Sequence, residues 1–443
     1  MGQEKNRRVW MLALAVAMLA VLIVAVTRPT VRVAPDEHTG AFRFADGELV
    51  AFIARDDGCL RVVLEDGQVG RVCPDHAGAT SYDGASYFSG AGPDSLRVTF
   101  TERTVNVGWG DGQSRVATLC PIRREPVDFA ASDGVSLVGE LILPEGEKPA
   151  PVLVHVGGSE RSAAVGRVWM PYLLAARGVA SFVYDKRGVG GSDGSYTQDF
   201  QRLGADAAAA VDAARLAMGD RRAAIGIVGF SQGGWVGPLA ASTADVDAVI
   251  VAFGLAVSPV EEEVSEVAAR LAAAGHGRDI LGRSRALVEA GVVLADSDFS
   301  RGTEVFGKLK KQAEAEGWLE DIGSEGLTGA LARYPVFFVR STWSFFDTNT
   351  SWSYDPKSTL ASLDTPQLWL LGGQDKDAPS ASTQTVLREL AASGNDIEVE
   401  VYETADHGLV ERVGGPEGPA SRFVEGYWQA VANFMLGIGG STP

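Results

Sequence analysis

From residue 39 to 121 the apolar positions come in short alternating runs, Leu49–Ala54, Leu60–Leu64, Leu96–Thr101 and Thr104–Trp109, broken by Asp-Gly and Gly-Pro. A period of two with turn residues at such intervals predicts strands, and hence a small β-rich domain. Its aromatic residues, among them Tyr82, Tyr87, Phe88 and Trp109, read as packing surface rather than a binding cleft. The pattern changes near Ile122. Val127–Ala130 and Val135–Leu143 flank Ser132-Asp133-Gly134 as a hairpin. Strand-like runs then alternate with helical ones: strand Pro151–Val156, helix Val168–Arg177, strand Val179–Tyr184, helix Gly204–Met218. Strand Ile225–Phe230, helix Gly233–Ser242 and strand Ala248–Phe253 follow, and later strand Gln367–Leu371, helix Ser380–Ala392 and strand Ile397–Tyr402. A last helix is expected over Ala420–Met435. This alternation predicts a mostly parallel sheet covered by helices on both faces. Between Ser258 and about Asp355 the strands stop and charged helical segments such as Glu261–Leu271 and Arg301–Glu316 take over. That stretch reads as an inserted helical cap.

One run fits neither pattern. Val9–Val26 is apolar and uncharged, and Lys5, Arg7 and Arg8 precede it. The length suits a bilayer-crossing helix, and the basic flank predicts a cytoplasmic N-terminus with all that follows outside. A cleaved secretory signal is the other reading, with Ala25-Val26-Thr27 as a poor cleavage site. The expected organisation is therefore a transmembrane anchor or signal over 1–27, a tether over 28–38, the β-rich domain over 39–121, and an α/β domain over 122–437 with its cap at about 258–355.

Charge and cysteines sharpen this. The 443 residues carry a formal charge of −18, which argues against a nucleic-acid partner, because phosphate binding needs concentrated positive surface. Cys59 and Cys73 flank a strand–turn–strand pattern around Glu65-Asp66-Gly67. With Gly67 left-handed in a three-residue turn, the two cysteines fall opposite each other, a register that permits a disulfide and leaves Cys120 unpaired. Three separate small hydrophobes is the alternative. No zinc-ligand spacing is present.

The candidate chemistry lies in the second domain. Gly229-Phe230-Ser231-Gln232-Gly233 matches G-x-S-x-G between an expected strand and an expected helix, the context in which such a turn thrusts a serine above the sheet. A serine hydroxyl needs a base within hydrogen-bond reach. Of the five histidines (His38, His76, His155, His276 and His407), only His407 follows a late strand and so emerges at the same sheet edge as Ser231. Asp375 follows the preceding strand, in Gly372-Gly373-Gln374-Asp375, and is the expected orienting acid. Asp377 and Asp406 are its rivals. His155-Val156-Gly157-Gly158-Ser159 ends another strand, so N–H groups of Gly157 or Gly158, with that of Gln232, are the expected oxyanion donors. His155 itself reads as structural.

With these motifs in place, the chain from Ile122 to Met435 resembles the α/β-hydrolase superfamily, closest to esterase and peptidase-like branches related to dienelactone hydrolases and bile-acid acyltransferase/thioesterases. Tyr184-Asp185-Lys186-Arg187-Gly188-Val189-Gly190-Gly191-Ser192-Asp193-Gly194 is similar to the D-x-R-G-x-G-x-S loop of that branch, and Ser353-Tyr354-Asp355-Pro356 to its approach to the triad acid. The resemblance implies an architectural role for Asp185 and Arg187. Val156 stands where the family usually has glycine, which leaves open whether Gly157 or Gly158 faces the oxyanion. The implied activity is hydrolysis of small carboxylic esters through an acyl-serine, with Ser231, Asp375 and His407 catalytic and no metal or organic cofactor. A peptidase or amidase, a thioesterase or acyltransferase, and a catalytically silent binding module are the alternatives.

Overall fold

The computed structural model describes residues 38–440 except 75–79, 87–95, 147, 347–348 and 414–419. The anchor or signal expected over 1–27 lies outside the described residues, as do most of the tether, His76, Tyr87 and Phe88. Among the described residues no helix is long and apolar enough to cross a membrane.

The β-rich segment closes into an eight-stranded antiparallel barrel. Strands β1 (Gly40–Phe44), β2 (Leu49–Ala54), β3 (Leu60–Leu64), β4 (Val69–Pro74), β5 (Ser81–Ser86), β6 (Leu96–Phe100), β7 (Thr104–Trp109) and β8 (Ser114–Leu119) pair in sequence order, and β1 returns to β8. Closure leaves no sheet edge to protect. Phe52, Val62, Val72, Val98, Phe100 and Val107 fill the interior. In the β3–β4 turn Gly67 has φ +87°, and Leu60 lies opposite Val72, so Cys59 and Cys73 meet at a Cα separation of 4.2 Å and are disulfide-bonded. Cys120 is buried and free.

The second domain is built on an eight-stranded sheet of order β16-β15-β14-β13-β11-β12-β10-β9. The expected hairpin forms β9 (Ile122–Ala130) and β10 (Ser136–Pro144), paired antiparallel. β10 in turn runs antiparallel to β12 (Ala180–Tyr184). The others are parallel: β11 (Ala150–Val156), β13 (Arg222–Phe230), β14 (Ala248–Ala252), β15 (Gln367–Gly372) and β16 (Ile397–Tyr402). β11, β12, β14 and β15 are buried at every position, as continuous apolar strands covered on both faces are.

Two helical layers supply that cover. On one face lie α1 (Met170–Ala176) and the C-terminal helix; on the other lie α2 (Phe200–Met218), α3 (Gly233–Ala241) and a later helix that follows β15. α2 shows how the sequence sets this packing. Asp199 caps its first turn by accepting from the Arg202 N–H. Phe200, Leu203, Ala207, Ala210, Val211, Ala214 and Met218 then line one buried stripe at helical spacing.

Among the described residues the regular elements of the insertion are all helical: α4 (Pro259–Ala273), α5 (Arg278–Asp296), α6 (Thr303–Glu316), α7 (Gly326–Arg333) and α8 (Val336–Phe346). It has a core of its own, with Val267, Leu287, Phe306, Trp318 and Leu331 almost fully buried. A buried carboxylate ties it together, Glu263 accepting from the Thr328 N–H at 2.7 Å. The chain re-enters the α/β domain at α9 (Pro356–Ala361), capped by Asp355, and after β15 runs through α10 (Ser380–Ala392).

One expected element is corrected. Ala420–Met435 is not one helix: Ala420–Phe423 is a strand, β18, paired antiparallel with β17 (Val410–Val413), and helix α11 spans Tyr427–Gly440. Gly426, at φ +90°, separates the two. Ala-Ser-Arg-Phe is too short to display a period, and pairing with β17 decides its state.

Candidate active site

β11, β13, β15 and β16 run parallel, so the loops after them open at one edge of the sheet. That edge holds Ser231, Asp375 and His407, together with Gly157, Gly158 and Gln232. Ser231 follows β13 in the left-handed region, at φ 53°, a conformation costing about 1–3 kcal/mol for a non-glycine residue. The flanking glycines make the turn feasible. A Cβ at Gly229 would stand 2.1 Å from the Gly233 carbonyl oxygen, and one at Gly233 would stand 2.4 Å from that of Val156. Both contacts are with main chain, which cannot yield.

His407 Nε2 lies 3.1 Å from Ser231 Oγ. Its Nδ1 lies 3.0 Å from Asp375 Oδ2 and 3.2 Å from Oδ1. An ionised carboxylate only accepts, so the proton sits on Nδ1 and Nε2 offers its lone pair to the serine hydroxyl. The Asp375 side chain is 1% exposed and that of His407 is 30%. Asp375 Oδ1 also accepts from the N–H groups of Asp377 (3.0 Å) and Ala378 (2.7 Å), which fixes the carboxylate before the histidine arrives.

The β15 and β16 loops are laced together to hold this geometry. Gln374 N–H donates to the Ala405 carbonyl at 2.8 Å, and Gly373 N–H to that of Tyr402 at 2.9 Å. A Cβ on Gly372 would sit 2.8 Å from the Ala405 and Asp406 carbonyl oxygens, so the paired glycines before Asp375 permit the approach. Burial lowers the proton affinity of His407, but the hydrogen bond and charge of Asp375, with the charges of Asp377 and Asp406, outweigh it. The imidazole pKa ends above its ordinary 6.5.

The rival acids sit on the same two loops but do not bond the imidazole. Asp377 gives the triad its main-chain N–H while its side chain is exposed. Asp406 makes no side-chain hydrogen bond to the imidazole of its neighbour; its own N–H is held by the Val410 carbonyl at 2.7 Å. His155 is buried against Ser181 Oγ at 3.0 Å, and burial pushes its pKa down to about 3, which removes it as a base. His38 stacks on Phe100 in the barrel, and His276 pairs with Asp321 in the cap.

Gly157 and Gly158 turn away from β11 directly beside the nucleophile: a Cβ on Gly158 would stand 3.2 Å from Ser231 Cβ. Gln232 precedes α3 as its cap, so its N–H has no intrahelical acceptor. Asp185 and Arg187 act as struts. Asp185 accepts from the N–H groups of Ala164, Val165 and Gly191, while Arg187 forks onto Asp206 and reaches Asp133. One neighbour escaped sequence reasoning altogether. Phe253, itself left-handed at φ 44°, packs edge-on to His407 at 5.3 Å between ring centres. Nothing in Ala-Phe-Gly announces that contact. A cavity of about 290 Å³ lies where the cap leaves and rejoins the domain, lined by Ala256, Ser258, Glu261, Trp352 and Asp355, and no triad residue lines it.

The model of the alpha/beta hydrolase family matches residues 152–414, more than half of the chain. The chain belongs to the alpha/beta hydrolase family. In this α/β hydrolase Ser231, Asp375 and His407 follow β13, β15 and β16, in the Ser…Asp…His order that fold uses. Among solved structures it is similar to an esterase of Pyrococcus furiosus, with 15% identity over 72% of this chain and 90% of that one and a TM-score of 0.42. It is also similar to an acylaminoacyl peptidase of Pyrococcus horikoshii, with 17% identity over 87% of this chain and 55% of that one and a TM-score of 0.42. A puromycin hydrolase aligns at 13% identity over 91% of this chain and 61% of that one, with a TM-score of 0.46. Identities this low say nothing of substrate. A comparison with curated proteins gives no match.

Proposed function

We propose that this α/β hydrolase cleaves carboxylic esters through an acyl-serine intermediate. The observation that carries the reading is His407, placed within hydrogen-bond reach of Ser231 on one side and of a buried, pre-positioned Asp375 on the other. His407 takes the Ser231 proton as Oγ attacks the ester carbonyl, and Asp375 stabilises the imidazolium. The N–H of Gln232 and one from Gly157 or Gly158 face the developing oxyanion. His407 returns the proton to the leaving alcohol, and a water that it activates hydrolyses the acyl-enzyme. Ser231→Ala should lower kcat roughly 10⁶-fold with the fold intact, and abolish labelling by a fluorophosphonate. Label that persists in the variant would sink the assignment. A panel of p-nitrophenyl esters and aminoacyl-p-nitroanilides separates ester from amide cleavage.

The site of action is the second part of the proposal. The apolar run at 9–26 with its basic flank supports a membrane anchor and an extracytoplasmic enzyme. The Cys59–Cys73 disulfide supports the same compartment, since such bonds persist where the surroundings are oxidising.

A further inference from the structure

Glu160 follows the Gly157-Gly158 turn, and its carboxylate folds back against it. A Cβ on Gly157 would stand 2.7 Å from Glu160 Oε1, and one on Gly158 would stand 2.8 Å from Oε2. That second point is also 3.2 Å from Ser231 Cβ, so carboxylate and nucleophile both border Gly158. Negative charge there opposes an oxyanion unless something cancels it. Lys186 is the cation at hand, and it both holds the loop and pairs loosely with the carboxylate. Its buried ammonium donates to the main-chain carbonyls of Gly158 and, at 2.6 Å, of Glu160, and it stands 3.8 Å from the carboxylate. The Glu160 side chain stays 50% exposed, accessible to a ligand.

The cap brings acidic side chains to the same neighbourhood, but burial disfavours the charged form of the nearest ones. Burial, and then the carboxylates of Glu266, Glu263, Asp375 and Asp377, push the Glu262 carboxyl well above the usual carboxylate range. Its neighbours have partners inside the cap, Glu263 in the Thr328 N–H and Glu266 in Arg270 at 2.7 Å. Glu262, which feels the charge of the triad acid itself, makes no ion pair among the described residues.

We propose that Glu160 is a specificity-determining residue that selects substrates carrying an ammonium or quaternary amine close to the reacting carbonyl. The substrate's cation meets the exposed side of the Glu160 carboxylate and completes the cancellation that Lys186 begins from 3.8 Å. Neutral analogues leave its charge to the Lys186 ammonium alone, and anionic ones are repelled. A charge-assisted contact at a half-buried site corresponds to a preference of about ten- to a hundredfold. This inference rests on the acyl-serine reading, so its test uses probes that report Ser231 whatever bond the enzyme cleaves.

The experiment compares two phosphonate probes of matched size on the full chain, one with a trimethylammonio-ethyl thiol leaving group and one with its uncharged tert-butyl isostere. Second-order labelling rates are measured for wild type, Glu160→Gln and Glu160→Asp, at low and high salt. Wild type should favour the cationic probe about ten- to a hundredfold, with the ratio shrinking in salt. Glu160→Gln should bring the ratio close to one, and Glu160→Asp should restore part of it. Equal rates in wild type overturn the inference without any variant having to fold. A ratio unchanged by Glu160→Gln overturns it too. If neither probe labels Ser231, the acyl-serine reading itself falls, and this inference with it.

Discussion

Asp375 and Asp377 lie two residues apart on one loop, yet only the first turns its carboxylate to the imidazole, because Asp377 and Ala378 spend their N–H groups on holding it there. Asp375→Asn should therefore lower kcat about 10⁴-fold, since an amide neither fixes the tautomer nor stabilises the imidazolium. Asp377→Asn keeps its N–H and should cost less than about tenfold, the scale of one exposed charge. The pH profile carries the same logic. The base must be neutral, so activity falls as pH drops through the His407 pKa, and that limb should centre above 6.5 in wild type. Removing Asp375 takes away the hydrogen bond and the charge that raise the imidazole while burial still lowers it, so the limb moves to lower pH. A kcat/KM profile for each variant checks both statements, and the larger loss in Asp377→Asn would transfer the role of the acid. At this scale sequence reads best where the chemistry sits in a short motif at a strand end, as with Ser231, Asp375 and His407. Glu160 and Phe253 were beyond it. Their closeness to Ser231 and His407 arises from folded loops, and a lone Glu or Phe has no spacing to betray it.

Elements were legible in proportion to how well their period stood out. β11, β14 and β15 are apolar at nearly every position and are bounded by glycine, proline or charge, so they read as buried strands. α2 repeats its apolar stripe over five turns. What failed was short and at an end: β18 was absorbed into α11 because four residues carry no period and the partner strand is ten residues upstream. The barrel was legible as strands but not as a closed surface, because closure depends on β1 meeting β8, some seventy residues apart, which no local pattern encodes. The β3–β4 hairpin is the exception, since its turn residues set the register and the register sets the disulfide. Closing the loop from Cys59 to Cys73 should contribute about 3 kcal/mol. The Cys59→Ser, Cys73→Ser double variant should lose about 2–4 kcal/mol in denaturant unfolding, with turnover of the folded enzyme unchanged, because among the described residues Ser231 and His407 bond to each other and to Asp375, not to the barrel. An unfolding midpoint equal to that of the oxidised wild type would mean the bridge does not constrain the chain.

The barrel and the α/β domain share a core, and their described residues fall in one compact unit. Ala41, Leu49, Ala51, Ile53 and Val63 of the barrel pack in the same cluster as Met170, Tyr172, Tyr427 and Trp428. Polar contacts close the seam: Trp428 Nε1 and Gln429 Nε2 both donate to the Glu65 carbonyl, Arg177 pairs with the Glu65 carboxylate, and Phe423 N–H donates to the Gly67 carbonyl at 3.0 Å. A Cβ at Gly67 would stand 1.9 Å from the Phe423 carbonyl oxygen, so the glycine that makes the hairpin turn also admits its neighbour. The first 27 residues lie outside the described residues. If those residues anchor the enzyme, deleting Met1–Thr27 should release it into the soluble fraction with kcat and KM unchanged. The full chain should resist extraction by alkaline carbonate, because one helix of that length and hydropathy inserts essentially irreversibly. Protease added from outside the cell should digest the catalytic domain, because the basic flank keeps the N-terminus inside. N-terminal sequencing of the native protein decides between anchor and signal: a mature end near Arg28 would mean the run is removed and the enzyme freely secreted, and the anchoring proposal would be abandoned.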